Sequence, residues 1–305
     1  MNYRRIVINP SDGYFRDVSE LKPSEKTSGH IHLFLFLATV FTTMAAGSFI
    51  ATQQNPFGSI GILLKGLPFS VSILSILGIH EFAHYFSARY WGIHVTLPYF
   101  IPAPVLPIGT FGAVIKMKSS IPNRKALVDV GASGPIAGFI VAVIACVVGL
   151  KMSRVVPIET FESGVGYILG ESLLFKLLSF VTLPSMPDNY VVILHPIAFA
   201  GWIGLFVTAL NLIPIGQLDG GHVLFALSPE LHRMLRRIRI PLLLLLGLTF
   251  WSGWYVWAVL SLFFGRAHPL PDRMDASIGK IRTAVAVTAI IIFIICIMPV
   301  PIRVE

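Results

Sequence analysis

Residues 80–84 read His-Glu-Phe-Ala-His, an H-E-x-x-H pattern. On a helix, residues four apart lie one turn above each other on the same face, so His80 and His84 can both reach one metal ion. Glu81 projects from the adjacent position, where its carboxylate can act on a metal-bound water without ligating the metal. The bland alternative is two imidazoles and a carboxylate pairing with one another inside a bundle. The setting favours ligation: the motif closes the apolar run LPFSVSILSILGIHEFAHYFSARY, and ionisable groups at membrane depth are rare unless they have a task.

Two histidines leave a catalytic zinc one protein ligand short, since such sites use three plus water. The stretch N-L-I-P-I-G-Q-L-D-G-G-H over 211–222 offers two candidates, Asp219 and His222. Pro214 removes a backbone donor and ends or bends a helix. Gly216, Gly220 and Gly221 let the following loop turn a carboxylate back into a bundle. Taken alone, an ordinary helix-end loop with a capping Asp explains the same residues.

The elements that must position these groups are membrane helices. Of 305 residues 55% are hydrophobic and 12% charged, far from the balance of a soluble domain, so the fold class expected is an all-α polytopic membrane protein. The formal charge of +8 requires no nucleic acid, because Lys and Arg gathered in cytoplasmic loops give the same balance. Cys146 and Cys296 lie inside apolar runs and form no C-x-x-C pair. The polar first thirty residues show no cleavable signal peptide and read as a cytoplasmic leader, followed by one membrane domain over 31–305.

About six spans are expected, near 31–51, 66–88, 126–150, 191–215, 240–264 and 283–300, each close to the length that a bilayer core requires. His30 and His32 at the start of the first are interfacial residues without a metal role. Residues 92–125 hold five prolines and the alternating stretch GTFGAVIKM, which predicts loop and short strand after the second span. Such backbone is tolerated near a membrane only when buried in protein or lining a wet cavity, and its edge can receive an extended peptide. Gly131, Ala132, Ser133, Gly134, Ala137 and Gly138 allow close helix contact in the third span, and Asp129 near its start faces the interface. Within 151–190, GYILGESLLFKLLSFVTL is too short and too charged for a span and reads as an interfacial or re-entrant helix. Fifteen of the 23 Lys and Arg fall in segments that six spans place with the N-terminus, eight in the others. That bias puts both termini in the cytoplasm; the membrane expected is a bacterial inner (cell) membrane. It also brings His80–His84 and the 211–222 motif to the same side and depth.

H-E-x-x-H in one membrane helix and N-x-x-P-x-x-x-x-D-G at the end of a later one form a specific pair. With it the chain resembles the site-2 protease family of intramembrane zinc metalloproteases over about residues 60–265. GTFGAVIKMKSSIPNR and SGPIAGF are most similar to the prokaryotic and plastid branch without PDZ domains. The resemblance implies that His80, His84 and Asp219 bind one zinc ion, that Glu81 is the catalytic base, and that Asn211 positions substrate or stabilises an oxyanion. The chain departs at Gly138, where many relatives carry Asn after Gly-Pro. The resemblance further implies hydrolysis of a peptide bond within or near a transmembrane segment of a single-span membrane-protein substrate, in the lipid bilayer and without nucleic acid. A metal-ion or proton transporter is the alternative, since intramembrane His and Asp also mark ion pathways. A catalytically inert scaffold has no need of all four residues, and a glutamate third ligand has no candidate inside a later span.

Overall fold

Four apolar runs form helices long and apolar enough to cross a membrane: α1 (Gly29–Thr52), α3 (Leu67–Tyr90), α4 (Arg124–Lys151) and α10 (Gly279–Cys296). Between them lie α2 (Ile60–Leu64), α5 (Leu173–Thr182), α6 (Pro196–Asn211), α7 (Asp219–Leu227), α8 (Pro229–Thr249) and α9 (Gly253–Phe264). The computed structural model describes residues 7–8, 15–16, 29–104, 108–160, 167–183, 189–264, 271–272, 274 and 277–304. The expected leader over 1–30 lies outside the described residues, apart from a ladder of β1 (Val7–Ile8) with β2 (Phe15–Arg16) and the start of α1. Large apolar side chains such as Phe34 (71% exposed), Phe86 (64%) and Leu248 (77%) point away from the protein, as lipid-facing helices require.

At 28 residues α4 is about 42 Å long and is the axis of the bundle. Asn123 caps it by accepting from the Ala126 N–H. Lipid tails are as apolar as leucine, so these helices associate through close packing and not through hydrophobic gain. The glycines supply that closeness. A Cβ at Gly149 would meet the backbone of Ala198 on α6, and one at Gly204 would meet Ala142 and Ile76 at 2.9 Å. Pro135 sits inside α4 and leaves a carbonyl of the preceding turn without its helical donor.

The Pro-rich segment forms the expected strands: β3 (Tyr99–Pro102) pairs antiparallel with β4 (Thr110–Val114), with a bulge at Ile101/Pro102. Gly109, at φ +73°, lets the turn close on α1, where the Thr42 hydroxyl donates to the Gly109 carbonyl at 2.6 Å. Thus the hairpin is wedged between α1 and α3, with Phe100 buried. The 151–190 segment holds β5 (Arg154–Pro157), β6 (Tyr167–Leu169) and the short α5, and β5 pairs with β7 (Tyr190–Ile193).

Three sequence expectations are corrected. The fourth span is helical only over Pro196–Asn211, because Tyr190–Ile193 is drawn into the ladder with β5. The fifth divides into α8 and α9, broken at residues 250–252 by bulky residues of poor helix propensity, Phe250 and Trp251. The two helices fold back on each other where Tyr255 closes on Gly247.

The third correction concerns the termini. α10 runs parallel to α4, joined by Arg282–Asp129 at their starts. The C-terminal β8 (Ile302–Val304) pairs with β6, and the Gly170 N–H donates to the Pro301 carbonyl. α1 begins at the opposite end of the bundle, where His32 Nδ1 lies 3.1 Å from the Pro98 carbonyl. The start of α1 and the end of the chain therefore lie at opposite ends of the bundle, where six spans expect a common side. The extra reversal between α8 and α9 is the cause.

Candidate metal centre

His80 and His84 lie on the inner face of α3, both 6% exposed, with Glu81 at 8%. Asp219 comes from the other side of the bundle. α6 stops at Asn211, three residues before Pro214, and Gly216 turns the chain at φ +56°. Asp219 then opens a new helix, α7, where the sequence predicts a loop. Its carboxylate sits in the first turn, where the helix dipole favours negative charge. Gly220 packs on the Leu212 backbone, an approach that any Cβ would prevent.

The donor atoms converge. His84 Nε2 is 3.1 Å from His80 Nε2 and 3.2 Å from Asp219 Oδ2. His80 Nε2 is 3.4 Å from Asp219 Oδ2. A tetrahedral zinc with ligands at about 2.0–2.1 Å separates its ligand atoms by about 3.3 Å. Two nitrogens and a carboxylate oxygen at those separations fit such an ion, and they form the one such group among the described residues. The tautomer of His84 follows from its other nitrogen, 2.7 Å from the Val130 carbonyl. A carbonyl only accepts, so Nδ1 carries the proton and Nε2 keeps its lone pair for the metal. With both imidazoles neutral, as ligation requires, the carboxylates of Asp219 and Glu81 supply the negative charge that suits a dication.

Glu81 Oε1 lies 4.0 Å from His80 Nε2, beside the ligand group and outside it. The backbone of Ile115, just beyond β4, lies beside the Glu81 carboxylate. Asn211, the last residue of α6, brings its amide nitrogen to 3.4 Å from His80 Nε2, at the rim of the same site. The rival ligand His222 is buried one turn beyond Asp219, with its Cβ against Gly131, and does not belong to the donor group.

The sequence reading missed three contributors. Val130 acts through its carbonyl, to which side-chain identity is blind. Gly134 leaves the space that the His84 ring fills, and Gly138 backs His80, where a Cβ would lie 3.1 Å from Nδ1. Their glycine spacing was the available signal, and it pointed to helix contact without naming the partner. Asp129, near the start of α4, pairs with Arg282 and Trp91.

A membrane-embedded bundle with a buried His-His-Asp donor group and an adjoining glutamate defines the class of protein. Residues 68–250 match the model of peptidase family M50, and the chain belongs to that family. It is 30% identical over 324 residues to the probable zinc metalloprotease EGY1, chloroplastic, of Arabidopsis thaliana, covering 93% of this chain and 56% of that protein. It is likewise 30% identical over 316 residues to the EGY1 protein of Oryza sativa subsp. japonica, 93% and 52% of the two chains. A probable zinc metalloprotease EGY2 of Oryza sativa subsp. indica is 27% identical over 250 residues, 78% and 44%. The chain thus spans about half the length of the curated relatives it matches.

Proposed function

We propose that this chain is an intramembrane zinc metalloprotease that hydrolyses a peptide bond within or near a transmembrane segment of a membrane-protein substrate. One domain over residues 31–305 carries the activity, behind a polar leader over 1–30. The observation that carries this reading is the set of three donor separations, 3.1, 3.2 and 3.4 Å, with a fourth residue, Glu81, beside them. His80, His84 and Asp219 hold one zinc ion. When bound, zinc lowers the pKa of a water ligand toward neutrality and polarises the scissile carbonyl. Glu81 takes the proton of the attacking water and later returns it to the leaving amine. Asn211 offers an amide N–H to the oxygen on which negative charge develops.

Zinc content and cleavage of a reconstituted single-span substrate test this together. Wild-type protein is expected to hold one zinc per chain and to cleave. Asp219→Ala is expected to lose both, because two imidazoles remain without the charged ligand. Full zinc content in that variant would falsify the ligand assignment.

A helical substrate must unwind before it reacts, since its carbonyls are already hydrogen-bonded. We infer that the unwound strand docks along β4. Support comes from the pairing of β4, among the described residues, with β3 alone, and from Ile115, which follows β4 and lies beside Glu81. Main-chain hydrogen bonds then dominate, and substrate side chains matter less. Proline is expected to slow cleavage about fivefold at whichever of Val114 and Ile115 directs its N–H at the substrate, the loss of one hydrogen bond of about 1 kcal/mol, with zinc content normal. Alanine at Val114 should be tolerated. Wild-type rates in both proline variants would refute docking on this edge.

For topology we propose seven passes, formed by α1, α3, α4, α6, α8, α9 and α10, with the N-terminus cytoplasmic. Eighteen of the 23 Lys and Arg then lie on the cytoplasmic side, a stronger bias than six spans give. Single-cysteine labelling at Arg237 and Arg303 should report opposite faces, and labelling of both from one face rejects the scheme. The membrane is proposed to be a bacterial inner membrane. Fractionation of the source cells checks this, and recovery in an organellar membrane, as the names of its chloroplastic relatives suggest, would reject it.

A further inference from the structure

We propose that Arg282, through Asp129, is a positioning residue for the metal centre. The proposal rests on the zinc reading of His80, His84 and Asp219. Arg282 lies in the first turn of α10, where Nε is 3.0 and 2.9 Å from the two Asp129 oxygens and Nη2 is 2.9 Å from Oδ2. The same carboxylate accepts from Trp91 Nε1 at 3.0 Å. The guanidinium also lies over the Trp91 ring, 5.4 Å from its centroid. One carboxylate on α4 is thus held by the residue that closes α3 and by the start of α10.

The next residue on α4 is Val130, whose carbonyl accepts from His84 Nδ1–H at 2.7 Å. A helical carbonyl cannot rotate independently of its helix. Its place relative to the His84 ring is set by how the second turn of α4 sits against the end of α3. Trp91 is seven residues, two turns, beyond His84 on that same α3. The Asp129 cluster therefore closes a loop: His84 to Val130 carbonyl, one residue along α4 to Asp129, across to Trp91, and back down α3 to His84. Arg282 closes it by orienting the carboxylate with a planar fork, which a lysine point charge cannot reproduce. Asp129 and Arg282 are about a quarter exposed, so their worth as a surface ion pair is small. Their function is geometric: Asp129 and the His84 anchor are consecutive residues.

Metal binding distinguishes positioning from simple stapling of α10. Zinc affinity and the visible spectrum of the cobalt-substituted protein are measured on wild type, Arg282→Lys, Asp129→Asn and Trp254→Phe. The last variant loosens the other end of the α10 region by removing the Trp254 Nε1 bond to the Pro299 carbonyl, at 2.8 Å. Partners that orient a metal-bound histidine are worth roughly 10- to 100-fold in affinity. Arg282→Lys and Asp129→Asn are expected to weaken zinc about tenfold and to shift the cobalt bands, while Trp254→Phe leaves both unchanged. Wild-type affinity and spectrum in Arg282→Lys and Asp129→Asn overturn the proposal. So does an equal change in all three variants, which would mean stapling. If wild-type protein binds neither metal, the centre itself is refuted, a result separate from failure of the clamp.

Discussion

Glu81→Gln is expected to hold one zinc per chain and to lose proteolysis by at least about 10²-fold, the usual worth of a positioned proton-transfer group. The substitution is nearly isosteric and keeps an oxygen beside the Ile115 backbone. It leaves the donor separations among His80, His84 and Asp219 untouched, because Glu81 stands outside that group. What it removes is the group that takes a proton. The paired result with Asp219→Ala separates the roles, since one variant keeps metal without turnover and the other loses metal first. Metal analysis and cleavage of a reconstituted single-span substrate decide it. Zinc loss in Glu81→Gln would make Glu81 a ligand, and undiminished cleavage would remove it from the reaction.

The site was more legible in the sequence than the fold that holds it. His80, Glu81 and His84 are spaced by helix geometry alone, so five letters were enough to place three groups. Asp219 lies 135 residues beyond His84, and only a second motif could link them. Pattern suggested the link, and packing made it. What could not be read were partners that act through backbone or through absence. The Val130 carbonyl anchors His84 whatever side chain Val130 carries, and Gly134 contributes by having none. The partner of Asp129 was not legible because Arg282 is 153 residues away.

The termini went wrong for a different reason. A window over residues 240–264 sees one apolar stretch of spanning length. A turn at Phe250–Ser252 costs little in hydropathy and still reverses the chain. One further reversal moves the end of the chain to the other end of the bundle, which is where β8 pairs with β6.

Gly134→Ala should disrupt the metal centre with a single added carbon. Gly134 lies on the face of α4 that meets α3, and a Cβ there would overlap the His84 ring at Nε2, Cδ2 and Cε1. Relief by rotating the ring breaks the Nδ1 bond to the Val130 carbonyl and swings Nε2 out of the donor group. Relief by moving α4 parts the same two groups. Either way His84 no longer meets His80 and Asp219 at ligand spacing, and bound zinc should fall well below one per chain. Gly138→Ala serves as the graded comparison, because its Cβ would sit 3.1 Å from His80 Nδ1 and 3.2 Å from its Cβ. A shift of a few tenths of an ångström accommodates that, so most of the zinc should remain. Both variants are assayed for zinc per chain, with thermal unfolding to confirm that the bundle persists. Loss of metal in Gly134→Ala with retention in Gly138→Ala is the result that this packing requires. Full zinc in both would show that His84 does not fill the space that Gly134 leaves.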